Sequence, residues 1–261
     1  MRKALVAGNW KMHGSRTEIQ SFAQALDPEY DATADVVIFP PSLYIQALVS
    51  ELANSSNNSV DVGIQDVGIA SSGAHTGEIA AAMVADAGGK WAIVGHSERR
   101  LDQHETDDLV ATKAAAALQG GLRPIICVGE TLAERQAGHE IAVVERQLDA
   151  VLDRIDCGDL INAAIGYEPV WAIGTGETAT PDQAQVMHSF IRARLASQNV
   201  EAAQQIRIVY GGSVKPENAL ELFSEMDIDG GLVGGASLDA QSFSNIAKAA
   251  AECMQRKANI T

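Results

Sequence analysis

Short apolar runs rich in β-branched residues recur along the chain, and each is followed by a segment whose apolar positions return with helical spacing. The runs cover residues 3–10, 35–40, 60–66, 90–96, 123–130, 162–169, 206–212 and 230–237. Helical patterning is clearest over 105–119, 131–154 and 181–197. Eight strand–helix units at a mean spacing of about 33 residues are what a (β/α)8 barrel of this length requires. Runs such as Pro124-Ile125-Ile126-Cys127-Val128 are apolar throughout. That suits parallel strands covered by helices rather than a half-exposed antiparallel sheet.

Helix starts carry the capping chemistry that such units need. Thr180-Pro181-Asp182-Gln183 sets a cap, a first-turn proline and a capping-box glutamine in order, and Thr131 with Glu134 repeats the spacing. No Pro-, Gly- or Ser-rich linker divides the chain, and the polar stretch 54–59 reads as one loop. A single barrel domain over 1–261 follows. An open doubly wound sheet would place Gly-x-Gly-x-x-Gly after its first strand, whereas this chain runs into Asn9-Trp10-Lys11-Met12.

Composition narrows the function. The 261 residues are 46% hydrophobic and 20% charged, an ordinary globular balance, with a net charge of −15. An acidic chain of this kind lacks the basic footprint that nucleic acid demands, although a small anion remains compatible with a locally positive site. No apolar run reaches the roughly 18–20 residues of a membrane span. The apolar start at Leu5-Val6-Ala7 stops at Asn9-Trp10-Lys11, too short for a signal peptide. Three scattered cysteines, Cys127, Cys157 and Cys253, suggest neither a disulfide framework nor a zinc site, so a cytoplasmic location is expected.

Catalytic groups in a β/α barrel stand where strands end, which turns strand positions into a filter. Strand one ends in Asn9 and Lys11, strand four in His96, and strand six in Glu168. Strand seven ends in Gly211-Gly212-Ser213 and strand eight in Gly234-Gly235. Glu168 is the most telling, because a carboxylate closing an apolar strand is costly to desolvate. The loops after strands seven and eight are the usual phosphate site of this architecture. The segment from Pro169 through Val170-Trp171-Ala172-Ile173 to Gly174-Thr175-Gly176 reads as a lid hinged at both ends, its moving part spanning Val170 to Thr175.

These residues carry a resemblance. Gly8-Asn9-Trp10-Lys11, Val94-Gly95-His96-Ser97-Glu98-Arg99-Arg100, Tyr167-Glu168-Pro169 with the lid after it, Tyr210-Gly211-Gly212-Ser213-Val214 and Gly234-Gly235-Ala236-Ser237 stand in the order found in the triosephosphate isomerase family. They run from first strand to last. The resemblance implies a TIM barrel that interconverts dihydroxyacetone phosphate and D-glyceraldehyde 3-phosphate through an enediolate, in glycolysis and gluconeogenesis, with no cofactor and no metal.

Glu168 would be the general base, His96 the neutral electrophile, Lys11 the electrostatic stabiliser and Asn9 a substrate hydrogen bond. A helix starting at Ser97 would keep the imidazole uncharged. Gly174, Ser213, Gly234 and Gly235 would hold the phosphate. Glu98 and Glu130 match acids near Lys11 and near the lid, and Cys127 would pack beside the site.

The resemblance also implies a homodimer through the loop from Gln65 to Glu78, with Thr76 reaching the partner's site. His75 stands where the family commonly carries an aromatic ring. A dimer that weakens below about pH 6, where an imidazole gains charge, is the expectation. Two other readings fit the fold less well. A metal-dependent sugar-phosphate epimerase needs clustered histidines that the sequence lacks, and a silent binding barrel would be expected to have lost Glu168 or the lid.

Overall fold

Along each apolar run, successive side chains alternate between two environments, and this parity builds the molecule. The computed structural model describes residues 2–27, 33–55, 57, 59–173 and 178–258. Eight strands pair in parallel in chain order: β1 (Ala4–Asn9), β2 (Ala34–Phe39), β3 (Val60–Ile64), β4 (Trp91–Val94), β5 (Arg123–Val128), β6 (Ala164–Tyr167), β7 (Arg207–Tyr210) and β8 (Gly230–Val233). β8 returns to β1, with Leu5 opposite Gly230 and Gly8 opposite Val233, so the barrel closes.

Odd-numbered positions of β1, β2, β4 and β5 fill the interior, among them Leu5, Ala7, Val37, Phe39, Trp91, Ile93, Ile125 and Cys127. Their even-numbered neighbours, such as Val6, Ile38, Val94 and Ile126, join a larger core beneath the helices. The interior is packed by matching large to small. A Cβ at Gly63 would come within 2.4 Å of the Phe39 ring.

The helices between strands are α1 (Arg16–Ala25), α2 (Ile45–Asn54), α3 (Ala81–Asp86), α4 (Ser97–Asp102), α5 (Asp107–Gln119), α6 (Leu132–Gln136), α7 (Glu140–Leu152), α8 (Pro181–Ala196), α9 (Val200–Ala203), α10 (Pro216–Ser224) and α11 (Ala240–Ala258). Both expected capping boxes form, at Thr131 with Glu134 and at Thr180 with Gln183, the latter with Pro181 in the first turn.

The single helix expected over 131–154 is instead two, α6 and α7. Gly138 takes φ +72°, its N–H bonds Arg135 O and that of His139 bonds Glu134 O. This is a Schellman stop, which a glycine inside helical periodicity conceals. The strands also end one to four residues earlier than the apolar runs, so His96, Glu168 and Gly234 lie beyond them. Of the polar stretch 54–59, Ser56 and Asn58 lie outside the described residues. Asn57 is buried and donates to Ala23 O at 3.0 Å and Leu26 O at 3.3 Å, tying the stretch to the end of α1.

The amino-terminal end of the barrel is closed by charge and an aromatic ring. Trp91 is fully buried, with the guanidinium carbons of Arg207 and Arg123 at 5.2 and 5.5 Å from its ring centroid, and its Nε1 donates to Asp61 at 3.0 Å. Arg207 and Lys3 each reach Asp35 at 2.6 Å. Burial pushes the Asp35 carboxyl up, but hydrogen bonds and charge from those two cations hold it below its ordinary value.

Barrel closure depends on Gly230, whose φ is +136° and whose added Cβ would lie 2.0 Å from Leu5 O. Gly230→Ala is expected to lower unfolding free energy by about 2–3 kcal/mol. Gly121→Ala, at φ +83° with open space around it, is expected to cost only about 1 kcal/mol. Urea denaturation showing equal losses would mean that backbone conformation alone, not strand contact, matters at Gly230.

Candidate active site

Inward parity carries one reactive side chain past its strand end without any special device. On β1 the odd positions face inward and Asn9 ends that register, whereas Lys11 follows in a turn and is placed by contacts of its own. On β6, Ala164 faces inward and Glu168 follows with the same parity. His96 breaks parity and reaches the rim because Gly95, at φ +68°, reverses the chain before it. All three elements open onto a cavity of about 550 Å³, lined by Asn9, Lys11, His96 and Glu168 with the Gly211–Gly212–Ser213 turn and Gly234–Gly235.

Glu168 is 2% exposed. Its Oε2 accepts the Ser97 N–H at 2.8 Å, and its Oε1 lies 3.2 Å from Nε2 of His96, out of line for a hydrogen bond and with no other partner. The backbone leaves little freedom. Glu168 N–H donates to Val128 O at 2.8 Å, and a Cβ on Gly211 would come 2.7 Å from Glu168 Cγ.

His96 caps α4, its Nδ1 accepting the Glu98 N–H at 3.2 Å. A ring nitrogen that accepts carries no proton, so the hydrogen of the neutral tautomer sits on Nε2, the nitrogen that faces Glu168. Arg100 holds this rim from below, donating to Gly95 O at 2.9 Å and Cys127 O at 3.1 Å. Cys127 is fully buried, and burial together with the Glu168 charge pushes its thiol well above the ordinary value, which leaves it protonated and unreactive.

Lys11 adopts a left-handed backbone, φ 49°, that non-glycine residues rarely take. Three contacts impose it. Asn9 Oδ1 accepts the Lys11 N–H at 3.0 Å, Gln65 Nε2 donates to Lys11 O at 2.8 Å and to Phe39 O at 2.9 Å, and Lys11 Nζ pairs with Glu98 at 2.6 Å.

Gln65 is a residue that sequence reasoning placed only at the start of a loop. Counting parity along β3 through Gly63 would have found it, as it found Glu168 on β6. Glu130, fully buried, accepts the Trp171 Nε1–H at 2.8 Å, the Tyr167 hydroxyl at 3.1 Å and Arg135 at 3.0 Å, and so anchors the first turn of the expected lid. Of the expected phosphate ligands, Ser213, Gly234 and Gly235 line the cavity. Gly174, with Thr175 of the lid, lies outside the described residues.

Comparison with known proteins identifies the family. The family model described as triosephosphate isomerase matches residues 4–250. The chain belongs to the triosephosphate isomerase family. A triosephosphate isomerase of Pseudomonas syringae pv. tomato is 50% identical over 252 residues, covering 96% of this chain and 99% of that one. One from Xanthomonas campestris pv. campestris is 49% identical over 256 residues, covering 97% and 100%. Members of the triosephosphate isomerase family are isomerases on a (β/α)8 barrel, and this chain has that closed barrel.

Behind the cavity, His188 is fully buried, edge-on to Tyr167 with centroids 5.7 Å apart. Its Nδ1 lies 3.2 Å from Asp227 O and its Nε2 has no partner. Burial pulls its pKa down from 6.5 to about 4, against the opposing pull of the Asp227 carbonyl. The unfolded chain therefore binds a proton below about pH 6.5 that the folded chain refuses until about pH 4. Stability should fall by roughly 3 kcal/mol as pH drops through that window and be level above it. Urea titrations of the parent and of His188→Gln check this, because the slope should flatten in the variant. An unchanged slope would assign it elsewhere.

Proposed function

We propose that this protein interconverts dihydroxyacetone phosphate and D-glyceraldehyde 3-phosphate through an enediolate, with no metal and no organic cofactor, as a step of glycolysis and gluconeogenesis. The observation that carries the reading is the buried Glu168 carboxylate. It has one oxygen without a donor and stands 3.2 Å from the Nε2 of His96, at the floor of a cavity that also holds Lys11.

A proton beside a carbonyl is only weakly acidic, so its removal needs a base and a stabilised oxyanion together. Glu168 takes that proton onto a carboxylate oxygen, and the C–H electrons move into the carbonyl to give the enediolate. The Nε2–H of His96 donates to the carbonyl oxygen and moves protons between the two enediolate oxygens. Glu168 then returns its proton to the neighbouring carbon.

Lys11 supplies fixed positive charge at the oxyanion, and Asn9 orients both Lys11 and substrate. The N–H groups of Gly234 and Gly235 with Ser213 receive the phosphate, and Gly174 completes that cradle when the lid from Val170 to Thr175 closes. Closure suppresses the competing path in which enediolate electrons break the C–O bond and expel phosphate.

A homodimer in the cytoplasm completes the reading. Residues 71–78 of the loop from Gln65 to Glu78, Thr76 among them, are exposed, as are the apolar side chains Met12, Leu43, Ile69, Met83 and Leu101. A cavity of about 400 Å³ lined by Met12, Gln65, Glu78 and Arg99 lies beside Lys11 and suits a partner's loop. No helix among the described residues is long and apolar enough to cross a membrane.

Isomerisation of glyceraldehyde 3-phosphate by purified protein should be fast and indifferent to chelator, and Glu168→Gln should reduce kcat about a thousandfold. Comparable turnover by that variant would remove Glu168 as the base, and metal-dependent turnover would refute cofactor independence. Sedimentation of the purified protein tests the assembly, with a dimer expected and a monomer at micromolar concentration refuting it.

A further inference from the structure

The loops leaving β5 and β6 are zipped together by two main-chain hydrogen bonds. Glu168 N–H donates to Val128 O at 2.8 Å, and Val170 N–H donates to Glu130 O at 3.1 Å. Gly129, between the two acceptors, spends neither of its own backbone groups on that zipper. Both are taken by one side chain from α7: Gln147 Oε1 accepts the Gly129 N–H at 2.7 Å, and Gln147 Nε2 donates to Gly129 O at 3.1 Å. Gln147 is buried and does not line the cavity.

A side-chain amide that meets both the N–H and the C=O of one residue holds the two peptide units on either side of that residue's Cα in a fixed relation, since donor and acceptor must both be met. The residue so fixed lies against the candidate base. A Cβ at Gly129 would fall 1.8 Å from Glu168 O, so the two backbones are in direct contact. Gly129 is followed by Glu130, whose carboxylate holds Trp171 of the lid at 2.8 Å and whose carbonyl holds Val170.

We propose that Gln147 is a positioning residue for the isomerisation: by clamping the backbone on both sides of Gly129, it sets the placement of Glu168 and the anchorage of the lid hinge at once. The inference rests on the reading of Glu168 as the base. It differs from an ordinary helix–strand clamp in what its loss would do, since a structural clamp moves stability and leaves the chemical step alone.

The test uses the full-length enzyme and four variants. Gln147→Leu removes both hydrogen bonds and should lower kcat about ten- to a hundredfold while KM stays within about threefold, the size of effect that misplacement of a catalytic group produces. It should also raise the inorganic phosphate released per isomerisation event, because the lid hinge loses its anchor. Asn57→Ala removes a comparable buried amide at the far end of the barrel, and should lower stability with kcat and the phosphate ratio unchanged.

Gln147→Glu adds a reading that does not depend on truncation. Its ionised carboxylate accepts the Gly129 N–H but repels Gly129 O, whereas the protonated acid donates to that oxygen. Relative to the parent, its kcat should therefore fall as pH rises from about 6 to about 9. If Gln147→Leu does not fold, this profile decides alone, and a flat ratio overturns the proposal. Parental kcat and phosphate ratio in Gln147→Leu, or an equal kcat loss in Asn57→Ala, also overturns it while an inactive Glu168→Gln keeps Glu168 as the base. Full activity in Glu168→Gln defeats both.

Discussion

Burying a carboxylate with a single backbone donor is the constraint on which the upper rim of this barrel depends. Glu168 is 2% exposed and its Oε1 lacks a hydrogen bond, although desolvation of an ionised group costs several kcal/mol without partners. Full satisfaction by further donors would stabilise the charged form and make the carboxylate a poorer base. The surroundings instead restrain the residue through its backbone and its carbon atoms. Gly129 and Gly211 lack the Cβ atoms that would collide with Glu168 O and Cγ, and Val128 O holds its amide. The side chain is thereby located without being quenched.

The same economy governs the positive charge. A chain of net charge −15 repels a phosphorylated substrate at long range, so attraction must come from groups lining the cavity. Lys11 supplies it from a left-handed backbone that Asn9 and Gln65 enforce, and Glu98 holds its ammonium at 2.6 Å. Glu98 acts twice, because its N–H also fixes the His96 tautomer at Nδ1. One turn of α4 thus couples the orientation of the imidazole to the position of the ammonium. In the proposed mechanism these are the two groups that meet the developing oxyanion.

The strand pattern in the sequence was enough for the barrel, since parity and spacing come directly from side-chain chemistry. It also brought Asn9, Lys11, His96 and Glu168 to one rim, because strand ends converge in this architecture whatever the loops do. The sequence hid what depends on three-dimensional neighbours. Gly138 ends α6 in a Schellman motif within a run whose periodicity is helical on both sides. Gln65 and Gln147 are polar residues of ordinary type, and their importance lies in which carbonyl and amide groups they meet. Those partners, Lys11 and Gly129, are 54 and 18 residues distant. The acidic composition carried no trace of where the cations lie.

The two ends of the barrel use polar groups in opposite ways, and the two are linked through one closed sheet. At the amino-terminal end Lys3, Asp35, Asp61 and Arg207 are paired around a buried Trp91, a satisfied layer that rewards folding and offers no reactivity. At the carboxyl end β1 leads to Asn9, and β6, held beside β7 with Ala164 opposite Arg207, leads to Glu168, where the pairing is left incomplete. A strand positions its last inward residue only as rigidly as its register is held, and register is fixed by interior packing and by ion pairs at the base. Satisfaction at one end is therefore what lets an under-satisfied carboxylate at the other keep a defined position, and a barrel with loosely paired strands would let Glu168 turn to solvent and recover its missing hydrogen bonds.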